Sequence, residues 1–368
     1  MIYLDYQATT PLAPEARAAM LPFLDDKFAN PHSPHKLGRE AAATVELARD
    51  RVASLFAPAG RIHFTSGATE ALNWAIKGAL AAAPPNRRKI VTPATEHAAV
   101  LDTVAALDAE VVILPVNHAG LVDFDAAEDA IDDRTALVAA MLVNNEIGVI
   151  QPVEALARLA HDACALMLCD AVQGYGRLDL PTDACDLIAI SAHKIHGPKG
   201  IGALWIRDGV TIAPLLHGGG QEGGVRSGTL APMLCAGFGA AAQVAGERSV
   251  INAAHTDTLW RRFREALGDE WTLNGAELPR YPGNLNVRRE GLDAARLISE
   301  LRDIAFSAGS ACASGSGRTS HVLRAIGLTD RQARASIRLG FGRYTTEEEI
   351  DTAARLINEA AHRQQAFA

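Results

Sequence analysis

The sequence predicts a doubly wound α/β domain joined to a smaller α+β region, and three observations carry that prediction. From about residue 60 to 215, short β-rich runs alternate with helical patterns, as in βαβ units built on a mainly parallel sheet. Several of the runs are almost continuously apolar, the pattern of strands buried on both faces. From about residue 250 the alternation gives way to a helix, two short strands and two further helices.

Within the first region the expected strands are Arg61–Phe64, Lys89–Thr92, Glu110–Val116, Ala136–Val143, Leu166–Asp170, Asp186–Ser191 and Gly202–Arg207. Gly67 allows a tight turn, after which Ala71, Leu72, Ala75, Ile76 and Ala79 fall on one side of a helix over Ala68–Leu80. Pro152–Cys164 reads as a crossover helix, and alanine-rich Ala231–Glu247 as a long helix leading out of the domain. Beyond it come strands around Trp271–Leu273 and Gly283–Val287, then helices over Asp293–Leu301 and Thr346–Ala361. The expected division is a large domain over 13–250 and a small domain of 1–12 with 251–368, the latter carrying a loop at about 307–320. There is no internal repeat.

The chain has 368 residues, with 43 acidic against 35 basic side chains, a formal charge of −8 and no long single-sign run. That balance argues against a nucleic-acid partner. No apolar run approaches the ~18 residues that would suggest a membrane span, and Met1–Asp5 lacks the basic start of a secretory signal. Five cysteines are dispersed without a Cys-x-x-Cys pair. This fits reduced thiols in a cytoplasmic protein better than a disulfide framework, and no metal site is expected. Cys164, Cys169, Cys185 and Cys235 lie in apolar surroundings and are expected to be packing residues.

Four segments carry chemistry. In Ser191-Ala-His-Lys-Ile-His-Gly-Pro-Lys-Gly200, Ser191, His193 and Lys194 fall where a parallel strand ends, the edge at which ligands gather in open α/β sheets. A lysine there suits Schiff-base attachment of an aldehyde cofactor; in isolation a surface lysine beside a turn fits as well. Phe64-Thr-Ser-Gly-Ala-Thr-Glu70 places Ala68 and Thr69 at a helix N-terminus, where N–H groups and a hydroxyl face an anion or simply cap the helix. Neither a Walker loop nor a dinucleotide fingerprint is present. Asp170 closes an apolar strand, so its carboxylate needs a cation or a donor. A protonated ring nitrogen and a helix N-cap both meet that need, and Gln173 stands three residues on. Ser307–Ser320 is small, polar and rich in Gly and Ser; it is expected to be a mobile loop in which Cys312 is a reachable thiol.

With these motifs the chain resembles the pyridoxal-phosphate-dependent cysteine desulfurases of the NifS/IscS type, in the class V aminotransferase family. The resemblance runs nearly end to end. It includes Tyr3-Leu-Asp-Tyr-Gln-Ala-Thr-Thr-Pro11, Asn30–Glu40, Glu96-His97, Asn144-Asn-Glu-Ile-Gly148, Asp170–Gln173, Ser191–Gly197, Gly218–Glu222, Arg226–Thr229, Ser310–Cys312 and Ile337-Arg338. It implies a fold-type I homodimer that converts L-cysteine to L-alanine and passes the sulfur through a Cys312 persulfide to an acceptor. That acceptor is an iron–sulfur scaffold or another protein of thio-cofactor or tRNA thiolation. Lys194 would hold pyridoxal 5'-phosphate. His97 would stack on the ring and assist proton transfer, although a helix-capping histidine fits it too. Asp170 would pair with the ring nitrogen and Gln173 with the ring oxygen. Ala68, Thr69, Ser191, His193 and the partner subunit's Thr229 would hold the phosphate. Asn145 would help orient the substrate and the cofactor ring oxygen, and Arg338 would bind the substrate, its planar guanidinium matching a carboxylate; a plain strand arginine is the other reading of Arg338. A selenocysteine lyase or another class V aminotransferase is the alternative, though transamination needs no Cys312. Two positions depart from the family pattern. Gly223 stands where arginine is common, and Gly340 where serine is usual.

Overall fold

A computed structural model of the chain describes residues 1–57, 59–309 and 319–366. The short strand β1 (Ile2–Tyr3) leads into α1 (Pro14–Met20), which has proline in its first turn, and α2 (Lys36–Ala53), capped by His35. The βα alternation follows: β2 (Gly60–Thr65), α3 (Ala68–Ala82), β3 (Lys89–Pro93), α4 (Ala98–Ala105), β4 (Glu110–Leu114), α5 (Phe124–Ala130), β5 (Thr135–Met141), α6 (Val153–Asp162), β6 (Leu166–Asp170), β7 (Leu187–Ser191) and β8 (Gly202–Arg207). Next come α7 (Pro232–Glu247), α8 (Ser249–Leu267), β9 (Thr272–Leu273), β10 (Asn284–Arg288), α9 (Ala294–Glu300), β11 (Ile304–Ala305) and β12 (Ser307–Ala308). The chain continues through α10 (His321–Ala325), α11 (Asp330–Arg334), β13 (Ser336–Gly340) and α12 (Glu347–Ala366).

Seven strands form one sheet in the order β2-β8-β7-β6-β5-β3-β4. All neighbours are parallel except β8, which runs against both β2 and β7. The sheet is covered on both faces, and the two-residue period of a strand shows it. Along β5, Leu137 and Ala139 pack with Ala71, Leu72 and Ala75 of α3, while Val138 and Ala140 pack with the cluster of α6 and α7. Burial on both sides explains the unbroken apolar runs of the sequence. A second core joins β10 and β13 to α8, α9 and α12 and takes in Leu4 from the N-terminal segment. There the antiparallel sheet runs β12-β13-β10-β9, while β1 pairs in parallel with β11.

One expectation is corrected. Cys169, Cys185 and Cys235 are buried, but Cys164 is exposed. It follows α6 with a φ of 56°, and its N–H bonds back to the His161 carbonyl. The left-handed residue that ends a helix turns away from the apolar face its neighbours share.

Candidate active site

The C-terminal ends of β5, β6 and β7 and the N-termini of α3 and α4 open onto a cavity of about 620 Å³. Ten of the candidate residues line it: Ala68, Thr69, His97, Asn145, Asp170, Gln173, Ser191, His193, Lys194 and Arg338. Residues more than 260 positions apart thus meet at one sheet edge, where the sequence pattern places ligands.

Lys194 ends a short 3₁₀ turn directly after β7. Its amine donates to the carbonyls of Gln7 and of Ala8, the latter at 2.7 Å. Burial, then the positive charges of Arg338 and Arg177, bring the amine down to about 7, near neutrality. His193 faces the Thr9 hydroxyl at 3.1 Å, and burial beside Lys194 lowers its imidazole to about 4. His97 caps α4, as its alternative reading proposed, with Nδ1 accepting from the Ala99 N–H at 3.0 Å. That bond puts the proton of the neutral ring on Nε2, and burial favours this neutral form. The cap does not compete with the other reading, because His97 also lines the cavity.

Asp170 does not cap a helix. It is buried at the end of β6 and accepts from the Val172 N–H at 2.9 Å. Burial pushes its carboxyl up, with nearby His97 and Lys194 opposing, and no cation lies within ion-pair distance among the described residues. Gln173 donates to the Gln7 carbonyl at 3.0 Å, and its oxygen accepts from Arg177 at 2.8 Å. Thr69 and Ala68 stand at the start of the 15-residue α3, behind Gly67. Arg338 donates to the Asn145 carbonyl at 3.1 Å and pairs with Asp5 at 2.8 Å.

Two candidates lie elsewhere. Thr229 is exposed beyond the buried Glu222 and does not line the cavity of its own chain. Cys312 lies outside the described residues. Beyond it the chain rejoins the site closely: the Ser320 hydroxyl donates to buried Glu146, and His321 Nε2 donates to the Glu96 carbonyl at 2.8 Å.

Sequence reasoning missed the strap Asp5–Thr10. It supplies the carbonyls that hold Lys194, the hydroxyl beside His193 and the carboxylate on Arg338. The polar run after an apolar start was visible, but only the fold shows what it covers. The strap also accounts for Gly340, since a Cβ there would lie 1.7 Å from Gln7 Oε1 and 2.8 Å from the Tyr6 nitrogen. Gly223 adopts a φ of +69° in open space, a conformation that disfavours a side chain. The same segment is anchored by Glu222, which makes two hydrogen bonds to Arg49 at 2.8 and 2.7 Å. Burial opposes the charge on Glu222, but His63 and Arg49 outweigh it and hold the carboxyl down to about 2.

The comparisons with known proteins agree with this geometry. The model of the family "Aminotransferase class-V" matches residues 2–353. The chain is 45% identical over 97% of its length, and 90% of the relative's, to "Cysteine desulfurase IscS" of Rickettsia bellii (strain OSU 85-389). A solved "NifS-like protein" superposes with a TM-score of 0.90 at 35% identity, covering 100% of both chains. "SspA in complex with cysteine" superposes with a TM-score of 0.84 at 33% identity, covering 94% of this chain and 100% of that one. The chain belongs to the class V aminotransferases, and within them to the cysteine desulfurases. No helix among the described residues is long and apolar enough to cross a membrane.

Proposed function

We propose that this cysteine desulfurase holds pyridoxal 5'-phosphate in the 620 Å³ cavity, converts L-cysteine to L-alanine and carries the sulfur on Cys312. One observation carries the reading: a near-neutral lysine amine, a buried carboxylate without a cation, and a buried guanidinium line the same cavity. The donor set suits the cofactor at each end. Asp170 answers a protonated ring nitrogen; the α3 N-terminus, Thr69, Ser191 and His193 answer a phosphate; and the Lys194 amine answers an aldehyde.

When bound, pyridoxal phosphate supplies the electron sink for carbanion chemistry at the substrate Cα. Lys194 would hold the group through its near-neutral amine and, once the substrate amine has displaced it, would take and return the proton at that Cα. His97, which lines the cavity, would serve as a second proton carrier through Nε2. Asn145 and Arg338 orient the substrate carboxylate. The Cys312 thiolate would attack the substrate sulfur: a sulfur–sulfur bond forms as the Cβ–sulfur bond breaks, its electron pair stays with Cβ, a proton takes the sulfur's place there, and a persulfide is left on Cys312 with alanine as product. Residues 13–250 are taken as the cofactor unit, and 1–12 with 251–368 as the unit that carries Cys312. The dispersed cysteines support work in the reducing cytoplasm. A homodimer in which the partner subunit's Thr229 completes the phosphate site fits that residue's exposed position, and an iron–sulfur scaffold protein is the expected acceptor.

The test is the stoichiometry of products. Purified enzyme given L-cysteine and a thiol reductant is expected to release alanine and sulfide in equal amounts. Cys312→Ser is expected to bind the cofactor but form no persulfide by mass spectrometry. A Cys312→Ser enzyme with wild-type sulfide production overturns the assignment of the nucleophile.

A further inference from the structure

Arg338 is fixed by a small network that leads away from the cavity. Its side chain is 1% exposed and, among the described residues, makes one ion pair, from Nη2 to Asp5 Oδ1 at 2.8 Å, with Asp5 20% exposed. Ser307 stands directly across from Arg338 in the antiparallel pairing of β12 with β13. Its hydroxyl donates to the same Asp5 oxygen at 2.9 Å and lies 3.4 Å from Nη2. Asp5 is itself tied down: it bridges Gly340 on the strand that carries Arg338, and the flanking Leu4 carbonyl and Tyr6 N–H both bond to Gly340. Another nearby carboxyl, Glu146, is buried, which pushes it up from its ordinary value, and it accepts from Ser320.

We propose that Asp5, held by Ser307, is a positioning and selectivity residue for substrate recognition through Arg338. The proposal rests on the reading of Arg338 as the carboxylate arm. An arginine side chain has several rotatable bonds, and the ion pair holds it in one pose so that the planar guanidinium meets the substrate already oriented. The same carboxylate also cancels the arginine's charge. A ligand that offers only a carboxylate must share the guanidinium with Asp5 inside a buried site, where like charges are poorly screened. An amino acid overcomes that cost, because its amine becomes attached at the cofactor. Asp5 thus admits L-cysteine and discourages simple carboxylates.

Two variants separate these roles. Asp5→Ala removes the support, and the KM for L-cysteine is expected to rise roughly tenfold, the scale of one lost charge-assisted hydrogen bond, with kcat within about twofold. Asp5→Asn keeps an oxygen for Arg338 and Ser307 but removes the charge. It is expected to restore KM to within about threefold, while propionate binds severalfold tighter than to wild type, read by calorimetry on the holoenzyme and by competitive inhibition. An unchanged KM in Asp5→Ala overturns the positioning role, and unchanged propionate affinity in Asp5→Asn overturns the selectivity role. Should Asp5→Ala not fold, Ser307→Ala reads positioning through a smaller rise in KM, and no rise overturns it. Arg338→Lys distinguishes this failure from that of the underlying reading. If Arg338 does not bind the carboxylate, Arg338→Lys leaves KM unchanged; if only the Asp5 role is wrong, Arg338→Lys raises KM while Asp5→Ala does not.

Discussion

Lys194 in water would be an ammonium ion throughout the physiological range, and this fold removes that certainty. Burial and the charges of Arg338 and Arg177 lower the amine from 10.5 to about 7, with Asp5 and Asp170 opposing. Only the neutral amine attacks an aldehyde. The rate at which pyridoxal phosphate attaches to the apo-protein, followed by absorbance, is therefore expected to rise with pH through a midpoint near 7. Arg177→Gln removes one cation and is expected to move the midpoint upward; a wild-type midpoint at the ordinary lysine value of 10.5 contradicts the assignment. The linkage to stability has a definite sign. Between about 7 and 10.5 the unfolded chain holds a proton on Lys194 that the folded chain does not, so this residue's contribution to stability improves as pH rises through that window. Lys194 and Asp170 were legible in the sequence because a polar group closing an apolar strand has few inexpensive explanations. Asp5 and Gln7 were not, because their partners Arg338 and Lys194 lie 333 and 187 residues away and no local pattern encodes such a distance.

At the level of elements, β13 and the strap above it show how closely two segments can be fitted. Gly340 ends β13 directly under Tyr6 and Gln7, and Gln7 is pinned by its own bond to the Gly283 carbonyl at 2.8 Å. Gly340→Ala is expected to cost about 1–3 kcal/mol in urea denaturation, the usual penalty of an overpacked site. It is also expected to weaken cofactor retention by shifting the carbonyls that hold Lys194. An alanine variant with wild-type stability and retention means that the strap can take another path. The strands β5, β6 and β7 were read to within a residue or two because burial on both faces leaves a continuous apolar run. The direction of β8 was not legible, since an apolar run is the same read parallel or antiparallel. The short helices α10 and α11, each of five residues, carry too little periodicity to be seen.

On the scale of the whole molecule, two cores share one cavity. The larger supplies Lys194, Asp170 and His97 from strand ends and a helix start, and the smaller supplies Arg338 from β13. The chain's first strand closes the arrangement by pairing Ile2 with Ile304. Synthesis on the ribosome runs from the N-terminal side, so the strap is made before the strands β11 and β13 that its start pairs with. Until β11 and β13 emerge, Ile2–Tyr3 and Asp5 lack the strand edges they pair with, and the strap that seats the Lys194 amine is held through its bonds to Gln173 and His193. Domains fold as units during translation, which allows the seven-stranded sheet to form early while its reactive centre stays immature. A nascent chain stalled with about 300 residues outside the exit tunnel is therefore expected to be protease-resistant over the large sheet yet unable to capture pyridoxal phosphate. The released chain is expected to capture it. Capture by the stalled chain would show that the cavity matures without its strap. The pairing of β1 with β11 joins two segments of the chain across about 300 residues, so on this expectation unfinished copies of the protein do not take up the cofactor.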